Sequence, residues 1–136
     1  GVQTCALPIF AFAVHQRLGN LTIVVDANGL QGFGSTREVM NLEPLTAKFR
    51  AFGAEVTEVD GHDPVALATA LTVPGRGGRG SESHPVFGTP RVIVARTIKG
   101  KGVSFMERRM EWHYLPLTDD LLAQALAELD ETERPR

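Results

Sequence analysis

Two periodicities organise the hydrophobic positions of this chain, one helical and one of continuous β-branched runs. Residues 10–18 (FAFAVHQRL) are apolar and Ala-rich and run into Gly19 and Asn20, which reads as a helix and its stop. Residues 21–25 (LTIVV) form a short apolar run rich in β-branched side chains, the pattern of a strand buried on both faces as in a parallel sheet, and Asp26 ends it. Residues 28–36 (NGLQGFGST) follow with three glycines and predict a loop at the carboxyl end of that strand, where α/β folds place ligands. Asn41 is placed to cap a helix over 42–52, with Leu42, Leu45, Phe49 and Phe52 on one face and Gly53 closing it. Residues 55–60 (EVTEVD) alternate as a strand, and Asp63 caps a helix over 64–71 with Pro64 at its first position. Residues 72–90, broken by Pro74, Pro85 and Pro90 among many glycines, predict a long surface loop. Residues 92–95 supply a third buried strand. Thr118 caps a last helix over 119–129, whose Leu122, Leu126 and Leu129 share a face while Asp119 and Asp120 favour its positive end; 130–136 should fray. Strands alternating with helices imply an α/β fold, a parallel sheet with helices on both faces.

Composition narrows the classes of function. A length of 136 residues with 43% hydrophobic and 22% charged positions fits one globular domain with a real core. The 14 Lys and Arg nearly balance the 16 Asp and Glu, which argues against a broad phosphate-binding surface and hence against nucleic acid as a partner. A single cysteine, Cys5, forms no internal disulfide, and no Cys/His group has zinc spacing, so the chain reads as intracellular, with the cytoplasm as its default. The apolar run over 5–14 is far short of the ~20 residues that span a bilayer, and the first positive residue, Arg17, lies behind it, so neither a membrane helix nor a signal peptide is expected. Residues 1–9 (GVQTCALPI) match no element of the pattern and correspond to what a common sequencing adapter encodes in one frame. They are expected to be an artefact that replaces the true start of the reading frame, and Cys5 with them.

The candidate chemistry is local. Residues 75–80 (GRGGRG) satisfy GxGxxG literally, but follow a helix and enter a Pro-rich loop instead of joining a strand to a helix, so no dinucleotide site is expected there. Asn28, two residues beyond a buried strand, offers an amide oxygen to a hard cation such as magnesium or calcium, with loop carbonyls as further ligands; an Asn that merely shapes a turn is the plainer alternative. Lys99-Gly100-Lys101-Gly102 places ammonium groups beside flexible backbone after the third strand, which suits a phosphate or a solvated basic turn. Glu111-Trp112-His113 brings an imidazole that can donate to phosphate or to a substrate hydroxyl, or serve structurally. His15, His62 and His84 are read as structural, and no nucleophile elbow supports a Ser-His-Asp triad.

In this order, VVDANGLQ, STREVMNLEPLTAKFRAFGAEVTEVDGHD, VIVARTIKGKGVSFME, EWH and the final acidic, leucine-bearing helix resemble the thiamine-diphosphate domain of transketolases, specifically the N-terminal half or subunit of the bacterial kind, over residues 10 to about 129. The resemblance implies a thiamine-diphosphate-binding fold, incomplete at its N-terminus. It implies that Asn28 binds both the divalent metal and the cofactor diphosphate, that the Leu30 carbonyl is a second metal ligand, that Lys99 contacts the diphosphate, and that His113 touches both diphosphate and substrate as the catalytic side chain. The implied activity is transfer of a two-carbon ketol unit from a ketose to an aldose, commonly sugar phosphates as in the pentose phosphate pathway, with thiamine diphosphate and magnesium (or calcium) as cofactors. The implied partner is the pyrimidine-binding half or subunit of the same enzyme, in a homo-oligomer when complete, and the isolated chain is expected to be inactive. A non-catalytic thiamine-fold module serving assembly is the alternative. Two departures stand out: the family's GDG motif, with the metal-completing Asp, and the upstream substrate histidines are expected before Phe10 and are absent, and Gln31-Gly32-Phe33-Gly34 replaces the IDG-type sequence common after NGLQ.

Overall fold

A computed structural model describes residues 6–72 and 88–133. The elements run in the order α1 (Ala6–His15), β1 (Thr22–Ala27), β2 (Leu30–Gln31), β3 (Gly34–Ser35), α2 (Thr36–Val39), α3 (Leu45–Ala51), β4 (Glu55–Asp60), α4 (Pro64–Thr72), β5 (Arg91–Arg96), a 3-10 turn (Met110–His113) and α5 (Asp119–Glu133). They divide into two compact units, one built from Gly1–Ala27 with Glu43–Thr97 and the other from Asn28–Leu42 with Ile98–Arg136.

The first unit holds a three-stranded, all-parallel sheet in the order β1-β5-β4, so the last strand in sequence is the central one. β5 is buried throughout its middle, with Val92, Ile93 and Val94 at most 1% exposed, as expected of a strand covered on both faces. Alternation sorts the rest. Val92 and Val94 pack with Ile23, Val25, Val56, Phe10, Val14, Leu45 and Phe49, placing α1 and α3 on one face. Phe10 anchors that layer by meeting Phe49 and Phe52 edge to face at 5.1 and 5.5 Å. On the other face, α4 and the strands β4 and β5 enclose a cleft of about 340 Å³ lined mainly by Thr57, Val59, Ala66, Thr69 and Ile93. None of the predicted site residues lines it.

Several boundaries differ from the sequence expectation. The first strand is not buried on both faces: Val24 is 53% exposed, because among the described residues β1 pairs on one side only and the face that carries Val24 lies outside the cluster formed with α1 and α3. The first helix starts at Ala6 and ends at His15, ahead of Gly19. Arg17 adopts φ +53°, and the Leu18 and Arg17 N–H groups donate to the Ala13 and Val14 carbonyls, a Schellman closure made without glycine. The helix expected over 42–52 is only Leu45–Ala51, because Pro44 disfavours helical backbone at Glu43; the Glu43 carboxylate, not Asn41, caps it by accepting from the Leu45 N–H at 3.0 Å. Leu42 is left exposed. Asp63 does cap α4, accepting from Val65 and Ala66 N–H at 2.8 and 3.1 Å. Most of the 72–90 segment, including the GRGGRG run and His84, lies outside the described residues, as do residues 1–5.

Arg96, at the end of β5, binds the carboxylates of Glu43 and Glu58, the latter through Nε at 3.0 Å. The hydrogen bond from Arg96 to Glu43, with the Leu45 N–H second, holds the Glu43 carboxyl below its usual value.

In the second unit, α5 is capped by Thr118, whose hydroxyl accepts from the Leu121 N–H at 3.3 Å, and the helix continues to Glu133, beyond its expected end at 129. The shared leucine face is only half covered: Ala125 is buried, whereas Leu122, Leu126 and Leu129 stay exposed.

Candidate functional site

All four predicted site residues, Asn28, Leu30, Lys99 and His113, fall in the second unit. The segment expected as an open glycine loop is a small hairpin. Leu30 pairs with Ser35 and Gln31 with Gly34 in antiparallel register, and Gly32-Phe33 makes the turn. Asn28 opens it: its Oδ1 accepts the Leu30 N–H at 2.8 Å, and the Thr36 N–H closes onto the Gly29 carbonyl at 2.9 Å. Ser35 then starts α2, accepting from the Glu38 N–H at 3.2 Å while its hydroxyl donates to the Glu38 carboxylate at 2.7 Å. Ser35 thus N-caps α2, with the Glu38 carboxylate returning to its hydroxyl and not to its backbone N–H; the S-x-x-E of STRE is the sequence signal, missing from the sequence expectation.

Asn28 therefore shapes a turn through the same amide oxygen that the resemblance assigns to a cation. With the Leu30 carbonyl this makes two oxygen donors, fewer than the six that magnesium takes. Among the described residues no group of three His, Cys, Asp or Glu gathers as a metal site. The chain thus fits such an ion as a contributor of part of its shell. Beside Leu30, the Gln31 Nε2 is buried without a hydrogen-bond partner. A buried donor left unpaired costs about 1–3 kcal/mol, so it marks a place where an acceptor belongs.

Lys99 is set by a chain of tight turns. The Lys101, Val103 and Met106 N–H groups bond back to the Ile98, Gly100 and Val103 carbonyls, and the Arg108 N–H reaches the Lys99 carbonyl at 3.0 Å. Gly100 is required here: it sits at φ +71°, and a Cβ on it would lie 2.7 Å from Met106 backbone atoms. Arg108, at φ +56°, takes the same left-handed region without that freedom. Glu128 of α5 fastens this segment, accepting from the Ser104 backbone and, at 2.8 Å, from its hydroxyl. The Ser104 N–H, then the Gln124 amide and the Ser104 hydroxyl, hold the Glu128 carboxyl below its ordinary value.

His113 ends the 3-10 turn that follows. Trp112 anchors that turn, its Nε1 donating to the Phe105 carbonyl at 2.7 Å with the two rings 5.1 Å apart. The imidazole is exposed and stands beside the hairpin: a Cβ placed on Gly32 would lie 3.7 Å from His113 Cδ2. The structure thus brings His113 to the Asn28–Leu30 hairpin, while for Lys99 it fixes the backbone. His15 ends α1 and His62 sits in the turn after β4, where its backbone N–H donates to Asp60 at 2.9 Å. Two residues escaped the sequence expectation, Gln31 and Tyr114, whose phenol donates to the Gly32 carbonyl at 2.7 Å. The signal was the departure over Gln31–Gly34, which includes Gly32.

The family profile described as "Transketolase, thiamine diphosphate binding domain" matches residues 4–132. The 6-deoxy-6-sulfo-D-fructose transketolase subunit of Clostridium sp. (strain MSTE9) is 38% identical over 119 residues, covering 88% of this chain and 40% of that protein. One of the subunits of the apulose-4-phosphate transketolase of Actinobacillus succinogenes is 38% identical over 117 residues, covering 86% and 39%. The transketolase of Pichia stipitis, solved with sedoheptulose 7-phosphate, superposes at a TM-score of 0.75 with 25% identity over 93% of this chain and 18% of its own. The chain spans about 40% of the length of the curated relatives it matches. No helix among the described residues is long and apolar enough to cross a membrane. On the match across nearly its whole length, the chain belongs to the transketolase family, in its thiamine-diphosphate-binding domain.

Proposed function

We propose that this chain supplies the diphosphate- and metal-facing half of a transketolase-type active site, which moves a two-carbon ketol unit from a ketose to an aldose in the cytoplasm. The observation that carries the reading is the meeting of His113 with the Asn28–Leu30 hairpin, two blocks 82 residues apart at the Gly32–Tyr114 bond, beside an orphaned buried donor on Gln31. Asn28 Oδ1 and the Leu30 carbonyl would ligate magnesium or calcium, the Asn28 amide and Lys99 would hold the diphosphate, and His113 would donate to diphosphate and substrate. Thiamine diphosphate, when bound, supplies the carbanion that cleaves and carries the two-carbon unit. The protein's own contribution is orientation and charge: a cation and an ammonium against the diphosphate, and an imidazole that gives or takes a proton at a sugar hydroxyl. The substrates are anionic sugars, phosphorylated or sulfonated, in line with the names of the relatives. The partner is the pyrimidine-binding half or subunit, within a homo-oligomer. A non-catalytic assembly module is disfavoured, because it gives Asn28, Lys99 and His113 no reason to occur together.

Titration calorimetry tests the split of ligands. With two oxygen donors of its own, the isolated chain is expected to bind thiamine diphosphate and magnesium negligibly. Micromolar binding to the chain alone would contradict this. In the complete enzyme, Asn28→Ala is expected to weaken cofactor binding markedly, and unchanged affinity would remove Asn28 from the site.

A further inference from the structure

His113 carries the chemistry proposed above, yet its imidazole makes no hydrogen bond to any described residue. What touches it is Tyr114, whose ring meets the imidazole edge to face at 4.9 Å and 88°. Tyr114 is itself largely exposed, and an exposed tyrosine ordinarily keeps its rotamer freedom. Here that freedom is removed at the far end of the ring, where Oη donates to the Gly32 carbonyl at 2.7 Å across 82 residues of sequence. The backbone at 32 accepts the phenol only because it bears no side chain: a Cβ there would lie 2.3 Å from Oη and 3.4 Å from Cζ. Glycine at 32 and tyrosine at 114 are therefore complementary, and Gly32 lies in the Gln31–Gly34 segment that departs from the IDG-type sequence.

We propose that Tyr114 is a positioning residue for His113: its phenol, latched to the Gly32 carbonyl, ties the 110–114 turn to the 28–35 hairpin, and its ring sets the orientation of the imidazole. The mechanism needs such a device. In the reading above Asn28 and Leu30, which would face the metal, belong to the hairpin segment while His113 sits on a separate turn, and a misplacement of about 1 Å between groups that act together costs on the order of 100-fold in rate. The proposal rests on the cofactor-facing reading of His113, but its test does not, because the spectra contain no cofactor.

The test is a nuclear Overhauser contact between the His113 Cδ2 proton and the Gly32 α protons, measured on this chain with labelled histidine and glycine. The wild-type chain should show the contact. Tyr114→Phe keeps the ring and removes only the donor; the contact should be lost and the His113 ring resonances should shift. The Trp112 indole N–H, bonded to the Phe105 carbonyl, should hold its position and report that the turn is intact. Gly32→Ala should also abolish the native contact geometry and shift the His113 resonances. Added to Tyr114→Phe it should produce little more, since the group 2.3 Å away is gone. A persistent His113–Gly32 contact in Tyr114→Phe, or fully additive shifts from the two substitutions, would overturn the latch. A displaced Trp112 signal in both single variants would overturn it as well, since Tyr114 would then be supporting the whole turn. Loss of cofactor affinity in His113→Ala, read in the loaded complete enzyme, tests the underlying assignment separately.

Discussion

The two units keep their order by different means. The sheet unit is built on β5, whose side chains are shut away from water from Val92 to Ala95, and its polar bonds are peripheral. The unit bearing the predicted site buries little, Val103 and Ala125 being its buried hydrophobic residues among the described residues. It is held instead by directional bonds: Leu30 to Asn28, Glu38 to Ser35, Ser104 to Glu128, Trp112 to Phe105 and Tyr114 to Gly32. Burial is tolerant of exact geometry, whereas hydrogen bonds specify it but contribute only about 0.5–1.5 kcal/mol each. The lesson is a division of labour in which stability is concentrated in one unit and the placement of chemistry in the other.

Breaking the first unit should have the largest effect. Ile93→Ala empties a fully buried position between β1 and β4 and should cost about 2–5 kcal/mol in urea unfolding. His113→Ala should do the reverse. In the complete enzyme kcat/KM should fall roughly 10–1000-fold, the worth of one positioned hydrogen-bonding or proton-transferring group, while unfolding stability moves by less than about 0.5 kcal/mol. His84→Ala should be nearly silent in both. Gly100→Ala should blur the contrast, because it strains the turn that carries Lys99. A loss of about 1–3 kcal/mol, accompanied by weaker cofactor binding in the complete enzyme, is expected; a change in stability alone would separate Lys99 from the site.

The smallest effect is electrostatic. Glu43 titrates lower in the folded protein than its ordinary value of 4.5, so the unfolded chain binds the proton more readily and stability rises with pH across that range. The contribution is complete above about 4.5 and is lost as pH falls through the lower, folded value. Both Arg96 and Glu43 are close to half exposed, which limits it to under about 1 kcal/mol. Urea midpoints of the wild type and Glu43→Gln should differ slightly at pH 7 and converge at pH 3, and a constant offset at both would assign the effect to packing.

What the sequence disclosed follows the same division. β4 and β5 were legible to within a residue, and so was the Asp63 cap, because a parallel strand and an N-cap are written in contiguous residues. The boundaries of α1 and α3 were misplaced where a single backbone choice outweighed the pattern, Arg17 turning left-handed before Gly19 and Pro44 forbidding the helix its expected first turn. The exposure of Val24 could not be read from LTIVV, since burial on the second face depends on what covers it. Asn28, Leu30, Lys99 and His113 were named from blocks that resemble a family, and the hairpin and turn give each a defined backbone setting. Tyr114 was missed because its role exists only across 82 residues, in a bond to a carbonyl that every residue possesses.

The central place of β5 also governs how the chain can fold. Its partner β1 is joined to it through residues as far apart as Thr22 and Arg91, 69 positions along the chain. Among the described residues β5 is the sheet neighbour of both β1 and β4, which flank it and do not touch each other in the sheet. Closing so long a loop before any ladder forms slows the search for the native state. On the ribosome the apolar run LTIVV can therefore pair with β5 only after residues 91–96 emerge, and over that interval the edge it presents to β5 needs protection from aggregation.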